Sequence, residues 1–393
     1  MECPDVPSVV STVDEIVKPR LLMVVNDPTF FLSHRLPVAL AAKNQYDVHI
    51  ATGPGQGIES IQSHGFTHHE LPLKRSGTNL VSELVLLKHL WSLYRRVEPQ
   101  LCHHVTIKPV LYGSLVSKFS RRHALVNAIP GLGFIYTGST FKHKALKFLV
   151  SRLYKIALSG RQTFTIFQNP DNFNYFAEHH LIHPDQAVMI KGSGIDLQEF
   201  SYSEPSSASP LIVMLPARML WDKGVGEFVA TAKAIRQQRQ DIVFQLIGDS
   251  DPGNPSCIPP SQLQAWQAEG AVKWLGHQEH MLPYFQKAHV ICLPSYLEGL
   301  PKALIEACAV GRPIVTTDVP GCRETVTEGV NGFLVPAKSS EALIAPICRL
   351  ADDSALRERM GRESRRLAEQ EFSIEAVVAQ HLALYERALN AKN

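Results

Sequence analysis

Apolar residues in this 393-residue chain fall into short runs, separated by longer stretches with helical spacing. The run at 20–26 is nearly continuous, as a strand buried on both faces requires. Comparable runs stand at 47–52, 100–106, 124–129, 163–168 and 187–190. Helical patterns lie between them, one closing near Lys43, one over 110–120 and one opening near Pro170. The rhythm restarts at 211–215 and recurs at 242–247, 272–275, 289–293, 314–317 and 332–335. Alternation of this kind predicts two α/β halves, each with a parallel sheet covered by helices. Between them lie Gly192-Ser-Gly-Ile-Asp196 and the Pro- and Ser-rich residues 201–210, a composition suited to a hinge and linker. An amphipathic segment over 374–389 predicts a final helix, and residues 1–18 read as a loosely ordered tail.

Length and composition agree with two domains, and 45% hydrophobic residues are ample for two buried sheets. A formal charge of +2 argues against nucleic acid as a general partner. The seven cysteines (Cys3, Cys102, Cys257, Cys292, Cys308, Cys322, Cys348) include no C-x-x-C pair and read as free thiols of a reducing cytosol. No secretion signal is evident, and Lys88 and His89 interrupt the longest apolar stretch, so no membrane-spanning helix is expected.

Chemistry concentrates in Glu298-Gly-Leu-Pro-Lys-Ala-Leu-Ile-Glu306. Glu298 follows a buried strand, Pro301 fits the first position of a helix, and Gly311 and Pro313 end it. Glu306 then lies about two turns into that helix. Two carboxylates beside a helix N-terminus, at the carboxyl end of a parallel sheet, can hold hydroxyls and phosphate together. Arg218 and Lys223 follow the first strand of the second half, where two cations would stabilise a departing diphosphate. Gly53-Pro-Gly-Gln-Gly57 does not fit a dinucleotide fingerprint, and Asp249-Ser-Asp251 stands in a Pro-Gly loop rather than between apolar strands. A metal-independent site is therefore expected. His103 and His104 are adjacent on a strand and point to opposite faces, which argues against a shared metal.

The Glu298–Glu306 segment, with Arg218 and Lys223, resembles the donor site of the retaining family-4 glycosyltransferases. The resemblance implies the GT-B fold, with two Rossmann-like domains facing across a cleft and a C-terminal helix crossing back to the first. It divides the chain into a tail (1–19), an acceptor-binding domain (20–195), a hinge (196–210), a nucleotide-sugar domain (211–373) and a crossover helix (374–393). Glu298 would hold donor-sugar hydroxyls and Glu306 the ribose. Gly299, Leu300, Pro301 and Lys302 would line the sugar and diphosphate, with Gly248, Asp249, Gly276 and His277 near the base. No cofactor is expected beyond the nucleotide sugar itself.

The first half departs from the common family pattern. It lacks paired glycines after the first strand, and Asn127-Ala-Ile-Pro-Gly131-Leu-Gly133 replaces the usual His-Gly turn, so no catalytic histidine is carried over. Phe30-Phe-Leu-Ser-His-Arg-Leu-Pro37, Val105-Thr-Ile-Lys-Pro109 and Gly131-Leu-Gly133 instead resemble a bacterial branch acting on sugars linked to undecaprenyl diphosphate. That resemblance makes His34, Arg35, Lys108, Gly131 and Gly133 candidates for the acceptor or a diphosphate. The basic amphipathic segment 141–158, aided by 80–94, is a candidate for docking on an anionic bilayer. The expectation is a cytoplasmic, peripheral-membrane transferase moving a hexose or N-acetylhexosamine from UDP to a lipid-linked saccharide. A sugar-nucleotide epimerase, a binding protein, and a transferase using a GDP-sugar or a soluble acceptor are its alternatives.

Overall fold

Strands too apolar to face water on either side must be sandwiched between helices, and both halves of the chain solve this in the same way. A computed structural model describes residues 18–73, 80–120, 123–131, 141–205 and 209–391, with the side chains of 120 and 141–146 excepted. The tail before residue 18, Gly133 and part of the linker lie outside the described residues, as do the side chains of Lys142 and Lys144.

The first sheet contains β1 (Arg20–Val24), β2 (Asp47–Thr52), β3 (Thr67–Glu70), β4 (Leu101–Val105), β5 (Ala124–Ile129), β6 (Thr163–Phe167) and β7 (Ala187–Met189). Its strands are parallel, in the order β3-β2-β1-β4-β5-β6-β7. The second contains β8 (Leu211–Pro216), β9 (Ile242–Ile247), β10 (Lys273–Trp274), β11 (Val290–Leu293), β12 (Ile314–Thr317) and β13 (Gly332–Val335). Its order is β10-β9-β8-β11-β12-β13, also parallel. Each sheet reverses its winding once, between β1 and β4 and between β8 and β11, and a crevice opens at each reversal.

Two elements differ from the sequence reading. Thr67–Glu70 has no apolar alternation because it is an edge strand, paired only with β2. The helix expected to run to Lys43 is two helices, Pro28–His34 and Leu36–Ala42, broken at Arg35. After β4 a π-helical turn, Pro109–Gly113, precedes the helix Ser114–Ser120. Gly113 is needed there, since a Cβ would lie 2.6 Å from His104 Nε2.

The final helix Ile374–Asn390 crosses back to the first domain, as expected. Its Val377, Leu384, Tyr385 and Ala388 belong to the core that covers one face of the first sheet. The helix Leu80–Val97 covers the opposite face with Leu86, Leu90 and Leu93. His103 and His104 do point apart: the first meets Tyr385 Oη at 2.6 Å, the second Tyr94 Oη at 2.6 Å and Asn127 Oδ1 at 2.8 Å.

The chain passes between domains twice, and the passages are stitched together. Ile195 donates to Phe372 O (2.8 Å) and accepts from Ile374 N (3.0 Å). Gly194, at φ 75°, allows this approach, because a Cβ would stand 2.8 Å from Ile374 Cα. Gly194→Ala is expected to destabilise the protein by about 2–4 kcal/mol, from left-handed strain plus a backbone clash. Gly329→Ala, at φ 72° with open space around it, should cost only about 1 kcal/mol. Urea unfolding midpoints of the two variants check this; equal losses would refute the clash.

Candidate functional site

In the second domain, Arg218 and Lys223 both leave the carboxyl end of β8, beside the reversal in winding. Gly248 ends β9 at φ 137° and lies so close to Ala217 O that a Cβ would be 2.0 Å away. Its N–H donates to Gly276 O at 2.8 Å, which draws the loop after β10 alongside. A short 3₁₀ turn, Trp221–Lys223, then stops at Gly224 (φ 71°), pressed against Pro294 O. That contact carries Lys223 to the end of β11, where its Nζ is hydrogen-bonded to Glu298 Oε1. The pair is sheltered, with side chains 20% and 11% exposed. Ser295 Oγ donates to the same carboxylate oxygen at 2.8 Å. Arg218 is held by the Asp251 carboxylate.

Glu306 projects from the helix Lys302–Val310, whose N-cap is Pro301, one position earlier than its predicted place in the helix. Burial raises the Glu306 carboxyl to about 7, opposed by Lys302 with its Nζ 3.7 Å away. Near neutrality Glu306 therefore divides between neutral and charged forms, and offers a proton as well as lone pairs. Leu300 is buried beneath the loop. His277 is exposed in the loop after β10, and Asp249 contributes its carbonyl to Met219 N at 2.9 Å.

The Glu298-Gly299 turn is also where the domains meet. A Cβ on Gly299 would fall 1.3 Å from Pro130 O, just beyond β5. Gly131 faces the Gly299 backbone. Asn169 Nδ2 donates to Gly299 O at 2.6 Å, Lys302 Nζ to Ser33 O at 3.3 Å, and Arg323 pairs with Asp171 at 3.1 Å.

Three first-domain candidates are placed differently from expectation. Arg35 is buried rather than open to a ligand, and donates to His34 O (2.8 Å) and Ser193 Oγ (3.3 Å). Burial lowers its pKa to about 10, so it remains a cation, but one enclosed at the hinge rather than offered to a phosphate. His34 closes the helix Pro28–His34, one residue before the N-cap of the next, and stacks on Phe30 at 4.1 Å. Burial, Arg35 and Lys302 drive its pKa down to about 3, leaving a neutral ring without the charge a diphosphate contact would use. Lys108 is engaged by Glu83 Oε1 at 2.7 Å.

Sequence reading missed Asp251 as the Arg218 partner, Ser295 as a donor to Glu298, and Glu83. Asp251 and Glu83 carry no local signal, because they reach their partners through the fold, whereas Ser295 stands only three residues before Glu298 and could have been found. Among the described residues no group of three His, Cys, Asp or Glu could hold a metal ion. What the arrangement offers is cations preset at one strand end and carboxylates facing them, suited to holding phosphate and hydroxyls side by side.

Two Rossmann-like domains that meet across such a cluster define the GT-B fold. Family comparison agrees: residues 210–353 match "Glycosyl transferases group 1" and residues 20–169 match "Glycosyl transferase 4-like". The chain belongs to this glycosyltransferase family. It is 26% identical over 381 residues to the N,N'-diacetylbacillosaminyl-diphospho-undecaprenol alpha-1,3-N-acetylgalactosaminyltransferase of Campylobacter jejuni, covering 91% of this chain and 98% of that one. It is 23% identical over 357 residues to the capsular polysaccharide biosynthesis glycosyltransferase CapM of Staphylococcus aureus, with 88% and 91% covered. Among solved structures, sucrose-phosphate synthase from Thermosynechococcus elongatus superposes with a TM-score of 0.79 at 20% identity, over 95% of this chain and 100% of that one. Anabaena HepE with UDP and glucose gives 0.75 at 17%, over 93% and 98%.

The raised Glu306 carboxyl makes a stability prediction. A folded pKa above the usual carboxylate value of about 4.5 means the folded state holds the extra proton, so the contribution is complete below pH 4.5 and is lost as pH rises through 7. Relative to a Glu306→Gln variant, the unliganded protein should lose about 2–3 kcal/mol between pH 4.5 and 8. Urea titrations of both proteins across that range measure the difference; a flat difference would refute it.

Proposed function

We propose that the protein transfers a hexose or N-acetylhexosamine from a UDP-sugar to a lipid-linked saccharide, with retention of configuration, during assembly of a bacterial surface polysaccharide. The observation that carries this reading is the sheltered Lys223–Glu298 pair, set where the first domain closes on Gly299. Glycosyl transfer puts negative charge on the leaving diphosphate while the sugar hydroxyls must be held still. Lys223 and Arg218 meet the first need and Glu298 the second. A diphosphate would draw the cations from Asp251 and Glu298, and leave Glu298 free to accept from sugar hydroxyls. Glu306 would take the ribose hydroxyls, and the backbone of Gly299 to Lys302 the phosphate and sugar. The nucleophile attacks the face that the phosphate leaves and passes its proton to the departing oxygen, so no separate base is needed. The two preset cations supply the electrostatic help that a divalent ion would otherwise give, which makes the reaction metal-independent.

The similarity to the Campylobacter enzyme, along nearly its whole length, supports a lipid-linked acceptor, and the family resemblance supplies the uridine nucleotide. No helix among the described residues is long and apolar enough to cross a membrane. An exposed apolar face on the first domain supports docking on a bilayer. The helices Leu80–Val97, Ser114–Ser120 and Phe141–Leu158 lie side by side on the first domain. They expose Leu80, Leu84, Trp91, Phe119, Phe148 and Ile156 among lysines and arginines. Such a face suits the inner leaflet of a bacterial membrane, where a polyprenyl-linked acceptor would be met.

The test is nucleotide release in EDTA from a panel of UDP- and GDP-sugars, with and without a bacterial lipid extract. Release that requires lipid, with a heavier lipid product, is the expected result. An isomerised nucleotide sugar without acceptor would establish an epimerase instead. Lys223→Ala should lower kcat by roughly a hundredfold or more, while donor affinity falls less than about tenfold. Stopped-assay turnover together with equilibrium UDP binding separates the two; wild-type turnover would sink the assignment.

A further inference from the structure

When a diphosphate draws Lys223 away from Glu298, the lysine loses the side-chain bond that holds it in the free protein. From then on its backbone decides where the ammonium group can reach. The residue that follows is Gly224, at φ 71°, between the turn Trp221–Lys223 and the helix Val225–Arg236. Only glycine fits there against Pro294 O, and glycine has the widest torsional freedom of any residue. Ser256 holds the turn on the near side of this joint. Its carbonyl accepts from Trp221 N at 2.8 Å, and its Oγ accepts from Asp222 N at 3.1 Å. Neither bond reaches past Gly224.

Tyr296, two positions before Glu298, spans the joint. Its N–H donates to Asp222 O at 2.9 Å, on the near side of Gly224. Its Oη meets Glu227 Oε1 at 2.6 Å, in the first turn of the helix on the far side. Burial, and after it the Glu227 carboxylate, raise the phenol pKa, so the hydroxyl keeps its proton and is the donor. Lys338 Nζ, from the loop after β13, packs over the ring 5.0 Å from its centre. Consecutive residues of one loop therefore serve the two halves of the ion pair. Ser295 orients the Glu298 carboxylate at 2.8 Å, and Tyr296 braces the backbone on either side of Lys223. Charge aimed in advance at a leaving group is effective only while its geometry is kept.

We infer that Tyr296 and Glu227 are positioning residues for glycosyl transfer, whose hydroxyl–carboxylate bond locks the Gly224 joint and keeps the Lys223 ammonium on the leaving diphosphate. The inference rests on the glycosyl-transfer reading above. Both residues act through Lys223 and not on the substrate.

Kinetics of the full-length protein test it. Tyr296→Phe, which keeps the ring and the N–H, should lower kcat at least tenfold, with donor KM changed less than threefold. Glu227→Ala should match it, whereas Glu227→Gln, whose amide oxygen still accepts the bond, should lose less than threefold. The decisive comparison is made in a Lys223→Ala background. There Tyr296→Phe should change kcat less than twofold, because the group it positions is gone. A role in general stability would lower both backgrounds alike. Unchanged kcat in Tyr296→Phe, or an equal loss with and without Lys223, would overturn the assignment. Failure of the transfer reading itself would show separately, as no nucleotide release by the wild-type protein with any donor. In that case NMR of isotopically methylated lysines decides. The Lys223 signal, identified by its absence from Lys223→Ala, should move in Tyr296→Phe and hold its place in Glu227→Gln. A signal that Tyr296→Phe leaves unmoved would overturn the positioning role.

Discussion

Among the described residues, the tightest glycine contact is that between Gly299 and the Pro130 carbonyl. Any side chain at 299 would have to occupy the space of that oxygen, so the two domains can meet here only over a glycine. Much else is arranged around this point. On the other side a Cβ on Gly321 (φ 80°) would lie 2.6 Å from Gly299 O and 2.7 Å from Glu298 O. Glu298 is thereby fixed between two backbones, with its side chain directed at Lys223 and Ser295. The electrostatics of the site thus follows from a packing requirement.

Charge is handled in two ways on the second-domain side of the cleft. Arg218 and Lys223 are cations at a strand end, each matched with a carboxylate that a phosphate can replace. Holding them in place before the substrate arrives removes part of the reorganisation that the transition state would otherwise demand. Glu306 is the opposite case, an acid whose burial is only partly offset by Lys302. A ligand presenting hydroxyls would repair that burial without adding charge, whereas a phosphate would add a second negative charge beside it.

The strand positions and the clustering of charge around Glu298 were legible in the sequence because both leave local marks. Strands buried on two faces are nearly continuous apolar runs, and Ile242–Ile247 and Ile314–Thr317 stand where those runs predict them. A backbone that must pass within contact distance of another leaves glycines, as at Gly248, Gly224 and Gly299. Ion pairs leave no such mark. Asp251 sits 33 positions from Arg218, and Glu83 sits 25 from Lys108, and only the fold joins them. β3 was missed for a related reason: an edge strand of Thr-His-His-Glu has only one neighbour to satisfy.

The motif around His34 and Arg35 shows how a charged residue can be misread. A cation at a helix start, in a cleft protein that handles phosphates, invites a role in binding. Its surroundings argue otherwise. Arg35 is enclosed with His103, His381 and Tyr385, the last two from the crossing helix, and it donates to Ser193 in the hinge. Both histidines are held neutral, their pKa values lowered first by burial and further by the Arg35 charge. A permanent cation ringed by neutral rings cannot be traded for a phosphate without opening the core. It can, however, keep the hinge, the first domain and the crossing helix in one alignment. Lys302, which reaches the carbonyl of Ser33 two positions earlier, connects that alignment to Glu306. The segment 33–35 is thus one of the places where the two domains are tied together, beside the Asn169–Gly299 and Arg323–Asp171 contacts, and the Arg35 guanidinium is engaged in that tie.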